Sequence, residues 1–201
     1  MKKFILSIVA VCLSVFVFAF VGCGSSSGGI ESTLKSLCSA ESFTVSEGNT
    51  TILQYSGKTL YWKYGYNGEY DEYYFSPDDE GKYWVYERDY NDDAWTKSAL
   101  PIVEYYGYVY ILKAGLGIDE MDFFALIDCV CMDFSSCTVE NDGKYTLVNG
   151  FSFDNITFWQ DGEDLIFDNG TTKYTISSIN KTEIEFPASL DDAVVGEVSL
   201  P

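Results

Sequence analysis

The sequence predicts a mainly β protein with minor α content: a single curled antiparallel sheet, a half-barrel, with helices covering its concave face. Three observations point there. Of the 201 residues, 16 are Tyr, 14 Phe and 4 Trp, and aromatic side chains suit pleated, half-buried surfaces. Turn signals recur at intervals of about 8–12 residues, the spacing of an antiparallel meander. Only short stretches show helical apolar spacing. A large antiparallel sheet twists and curls, and its hollow face needs a cover that the helices can supply.

The N-terminus comes first. Lys2 and Lys3 precede a run from Phe4 to Phe20 that is apolar apart from Ser7 and Ser14, and Val21, Gly22 and Cys23 follow. This charged, apolar, small-residue layout is that of an export signal. Phe20-Val21-Gly22-Cys23 resembles a bacterial lipobox, which implies that Cys23 is acylated and becomes the mature N-terminus. Phe20 stands where Leu is usual. The competing reading is an uncleaved anchor, since the run is near the lower length limit for a spanning helix. Residues 24–29, all Gly or Ser, suit a flexible tether. The expected organisation is a signal at 1–22, a tether at 23–29, one β-rich domain at 30–190 and an acidic, frayed tail at 191–201.

Within the domain, Ile30, Leu34, Leu37 and Cys38 share one helical face and predict a helix over 29–42. Turns follow at Glu47-Gly48-Asn49, Ser56-Gly57-Lys58, Asn67-Gly68, Asp79-Glu80-Gly81 and Asp92-Asp93. Strands are expected between them, at 43–45, 51–55, 59–66, 70–76, 82–89 and 95–97. Asn67-Gly68 is the strongest of these signals, because a type I′ hairpin needs φ > 0 at both central residues. Pro101 suits a first helical position, and Ile102, Tyr105, Tyr106 and Val109 have helical spacing, although 105–110 also reads as strand. Asp119 can cap a further helix reaching Asp128. Strands resume at 137–140, 144–148, 152–159, 164–167, 173–179 and 183–186, punctuated by Asn141-Asp142-Gly143, Asn149-Gly150, Asp161-Gly162, Asp168-Asn169-Gly170 and Ile179-Asn180-Lys181.

These features together resemble the lipoprotein-carrier half-barrel family: the outer-membrane lipoprotein carriers and the related lipid-binding lipoproteins of actinobacteria. A group of anchored lipoproteins of Gram-positive gut bacteria is also similar. The resemblance spans about Ile30 to Pro187. Beyond the lipobox and first helix, it rests on Gly81-Lys82-Tyr83-Trp84-Val85-Tyr86, Trp95-Thr96-Lys97-Ser98 and Ile184-Glu185-Phe186-Pro187. It implies an extracytoplasmic, lipid-anchored protein that binds a lipid or other apolar ligand. Cys23 is the one family residue that it carries over.

Composition narrows the chemistry. The chain has no His and a net charge of −19, made more negative by removal of Lys2 and Lys3. Without His there is no Ser-His-Asp or Cys-His machinery and no His-containing zinc site. The charge repels nucleic acid and anionic headgroups. No cofactor and no catalysis are expected, and the chain is expected to be a monomer. Cys38, Cys129, Cys131 and Cys137 are candidates for disulfides in an oxidising compartment. A Cys129–Cys131 bridge closes a very tight ring, so Cys38 is expected to pair with Cys129 or Cys131, closing roughly 90 residues for about 3–4 kcal/mol. Free buried thiols and a zinc site are the alternatives. Asp89-Tyr90-Asn91-Asp92-Asp93 begins like a calcium loop but has Ala94 and Leu100 at the Gly and Glu positions, so it reads as an acidic turn. The acidic pairs at Asp78-Asp79-Glu80 and Asp191-Asp192 fall in a turn and a tail rather than across a cleft.

The aromatic rows carry the ligand question. Trp62, Tyr64, Trp84 and Tyr86 alternate along strands, with Phe123, Phe124 and Trp159 expected opposite. They form a core, line a cavity for an acyl chain, or, if exposed, stack on sugar rings as a cell-surface glycan- or protein-binding module.

Overall fold

The computed structural model describes residues 29–66, 68–115, 133–148 and 156–200. Helix α1 spans Ile30–Cys38. Strands β1 (Ser42–Glu47), β2 (Thr50–Ser56), β3 (Thr59–Tyr66), β4 (Glu69–Pro77), β5 (Tyr83–Arg88) and β6 (Thr96–Leu100) follow, then α2 (Ile102–Ala114) and the short α3 (Phe134–Cys137). Strands β7 (Thr138–Asn141), β8 (Lys144–Leu147), β9 (Thr157–Asp161), β10 (Asp164–Asp168) and β11 (Lys173–Ser177) complete the meander. A 3₁₀ turn at Ala188–Leu190 precedes β12 (Val194–Val195).

All twelve strands belong to one sheet, in the order β12-β6-β5-β4-β3-β2-β1-β11-β10-β9-β8-β7, and it is not closed. Two hairpin runs, β1–β6 and β7–β11, meet at an antiparallel seam where Thr44–Glu47 pair with Ser177–Tyr174. Each turn within the described residues falls where Gly or Asp/Asn was read; Asn149-Gly150 lies outside them. Gly65 is a further requirement inside β3. Its φ is +154°, and a Cβ there would lie 2.0 Å from the Glu69 carbonyl oxygen.

Strand alternation divides the side chains between two faces. On one face Phe43, Leu53, Leu60, Trp62, Phe75, Val85, Phe158 and Leu165 form a single buried cluster with residues of all three helices. These include Leu34 and Leu37 of α1, Tyr105, Val109 and Leu112 of α2, and Phe134 and Cys137 of α3. Tyr105 is fully buried and donates to the Lys58 carbonyl. Lys113 donates to Ala40 O at 2.8 Å and lies over the Tyr55 ring at 4.4 Å, joining the end of α2 to the end of α1. Thus 102–114 is helix rather than strand. Among the described residues no helix is long and apolar enough to cross a membrane.

On the other face Tyr61, Tyr74 and Trp95 pack against Leu190 and Ala193. This corrects the expected strand at 183–186. β11 is already flanked by β1 and β10, so a further hairpin strand has no edge to join. Positive φ at Ser178 and Asn180 turns the chain out of the sheet. Asn180 N donates to Ser42 O at 2.7 Å. Ile184 then packs beside Tyr74's cluster, and Phe186 meets the Tyr74 ring at 5.4 Å.

The tail is not frayed as far as residue 200. It rounds the sheet edge as β12, parallel to β6, and places Val198 and Leu200 against the helix-side cluster. The turn Phe134–Cys137 was also unforeseen; Asp133 caps it by accepting from Ser135 N at 3.2 Å. The expected helix at 119–128 lies outside the described residues.

Candidate functional sites on the two faces

Trp62 sits near the middle of the sheet, level with Leu53 on β2 and Tyr73 on β4. It is 8% exposed. Its ring lies 5.3 Å from that of Tyr73 and 5.0 Å from that of Tyr64. Tyr64 remains 48% exposed. The Trp62 indole Nε1 is buried and has no hydrogen-bond partner among the described residues. Beside it, the Tyr73 hydroxyl shares its proton between Glu87 Oε1 and Ser199 O, each at 3.2 Å. Ser199 N donates to Glu87 Oε2 at 3.0 Å. Burial, then the Glu87 charge, pushes the Tyr73 phenol well above its ordinary pKa.

The other aromatic candidates do not join Trp62 and Tyr64 in one lining. Trp84 and Tyr86 flank Val85, which points to the helices, so both project to the opposite face. Trp84 Nε1 donates to Asp78 Oδ2 at 2.9 Å, a bond that lowers the Asp78 pKa. Tyr86 packs with Tyr74 and Trp95. Trp159, next to helix-side Phe158, also faces away, between Lys144 at 4.2 Å and Lys173 at 5.1 Å. Alternation within each strand was read correctly, but β4 lies between β3 and β5 and sets their relative phase. Phe123, Phe124, Cys23, Cys129 and Cys131 lie outside the described residues.

Cys129 and Cys131, the expected disulfide partners of Cys38, lie outside the described residues; among the described residues no disulfide is formed, and Cys137 is a thiol. Cys137 belongs to the apolar cluster, where a thiol behaves as a small hydrophobe.

On the face away from the helices, the β3–β4 and β5–β6 connections enclose a cleft of about 300 Å³, lined by Lys63, Gly68, Tyr70, Glu72, Arg88 and residues Asp89, Tyr90, Asp92 and Asp93. Glu72 forms its floor. Lys63 Nζ lies 3.1 Å from Glu72 Oε1, and Arg88 pairs with Oε2. The Tyr61 hydroxyl also donates to Oε1, at 3.1 Å. Burial raises the Glu72 pKa, but the hydrogen bonds and charges of Lys63 and Arg88 outweigh it and hold the carboxyl below its ordinary value. Asp89 and Asp92 accept from Asn91 N and Ala94 N at 2.8 and 2.9 Å, which makes the loop a pair of Asx turns. Among the described residues no group of three acidic or Cys side chains is placed to hold a metal.

Sequence reading missed this network. Its signal was present: a two-residue Asn67-Gly68 loop pairs Tyr66 with Glu69, and counting back sets Lys63 opposite Glu72.

Comparison with protein-family models, curated proteins and solved structures finds no match to this chain.

Proposed function

We propose that this chain is a membrane-anchored, extracytoplasmic lipoprotein that binds a lipid or other apolar ligand without catalysis. In this reading Cys23 carries the acyl anchor, and the sheet is a half-barrel whose concave face bears Trp62, covered by α1, α2 and α3. The guest lies between sheet and helices.

The observation that carries the reading is the buried indole N–H of Trp62, which has no partner among the described residues. A buried donor left unpaired costs about 1–3 kcal/mol. A ligand with an apolar body and one acceptor atom relieves that cost while gaining burial against Trp62 and Tyr73. The aromatic rings around it supply apolar area and defined geometry.

The test is organic extraction and mass spectrometry of the full chain purified from membranes, alongside the Cys23→Ala variant. Expected are a lipid released from both proteins and loss of membrane association in the variant alone. Preparations repeatedly free of non-covalent lipid, with no saturable uptake of a fluorescent fatty acid, would overturn the binding role. A variant that stays in the membrane would overturn the anchor.

A further inference from the structure

We propose that the cleft floored by Glu72 is a second, independent binding site, for a neutral saccharide. It lies on the sheet face opposite Trp62, so it does not depend on the apolar-ligand reading.

The chemistry of its walls selects the ligand class. Glu72, Asp89, Asp92 and Asp93 disfavour an anion. Lys63 and Arg88 occupy the Glu72 carboxylate, and among the described residues no three carboxylates converge to hold a metal ion. A neutral ligand dense in hydroxyls uses both sets, accepting from Lys63 and Arg88 and donating to the carboxylates. Asp93 and the Tyr90 hydroxyl make no hydrogen bond within the described residues. Two tyrosines supply apolar faces for the C–H side of a sugar ring. Tyr70 has Lys63 over one face at 5.4 Å. Tyr90 is 53% exposed and presents its ring to solvent.

The site is also preorganised. Tyr90 N donates to Asp71 Oδ1 at 3.0 Å, and the Asx turns fix the loop on either side. Arg88 stacks over Trp95 at 5.1 Å, tying the cleft to the buried cluster beneath. A loop backbone held by these bonds loses little freedom on binding, so that the Tyr90 side chain is the main part left to order. The volume, about 300 Å³, is at the bottom of the range for small-molecule pockets. It suits the end or a short branch of a glycan.

The experiment titrates the full chain with maltohexaose, cellohexaose, xylohexaose and mannohexaose by calorimetry, with inorganic phosphate and calcium chloride as charged probes. At least one neutral oligosaccharide is expected to bind. Tyr90→Ala should weaken it about tenfold through lost stacking, Tyr90→Trp should retain it, and Asp93→Asn should weaken it less. Unchanged thermal unfolding of the three variants shows that the fold survives. The proposal is overturned if no oligosaccharide binds, if only phosphate or calcium binds, or if Tyr90→Ala and Asp93→Asn both leave saccharide affinity unchanged.

Discussion

Glu72 sits where three strands meet. Lys63 on β3 and Arg88 on β5 both reach its carboxylate, and Tyr61 adds a hydroxyl from below. Its side chain is only 14% exposed, so water competes weakly for its carboxylate. Because its folded pKa is depressed, its stabilising contribution is present above the unfolded carboxylate value and fades as pH falls through the folded one. Glu72→Gln is therefore expected to cost about 1–2 kcal/mol near neutral pH, by leaving two half-buried cations unpaired. Chemical denaturation at about pH 7 and about pH 3 checks this: the gap between variant and wild type should shrink in acid. A gap of equal size at both values would show that shape, not charge, matters at this position.

At the scale of elements, the C-terminal segment acts as a strap. It packs on one face through Leu190 and Ala193, rounds the edge as β12, and reaches the other face at Val198 and Leu200. Glu87 fastens its end by accepting from both Ser199 N and the Tyr73 hydroxyl. Glu87→Ala should release that end at a cost of about 1 kcal/mol, seen as roughly fivefold faster amide exchange at Ser199 and Leu200. Exchange unchanged from wild type would mean that the apolar contacts alone hold the strap. The strap also shows what was and was not legible in the sequence. Hairpins announced by Gly48, Gly57, Gly68 and Gly162 could be read because their turn chemistry is local. The path of 183–200 could not, since it depends on β11 being hemmed in by β1 and β10. Likewise, alternation told which residues of β3 and β5 share a face within each strand. The phase between strands, which separates Trp62 from Trp84, is set by the β4 register. The Lys63–Glu72 pair lay within reach of the Asn67-Gly68 count. Arg88 did not, because the five-residue connection from Asp78 to Lys82 leaves its register open.

For the molecule as a whole, the strand order sets the first half of the chain beside the second where β12 joins β6 and, more extensively, along the β1–β11 seam. Four residue pairs form that seam, and the strap adds a second attachment by crossing both faces of the first half. These contacts predict that the chain holds together when the covalent link after Gly115 is cut. Co-expressed pieces 1–115 and 116–201 are expected to purify as one complex, and pieces that separate on a sizing column would contradict this. A chain whose halves embrace in this way can be severed by a protease without coming apart: the piece that bears Cys23 would keep hold of its cut partner.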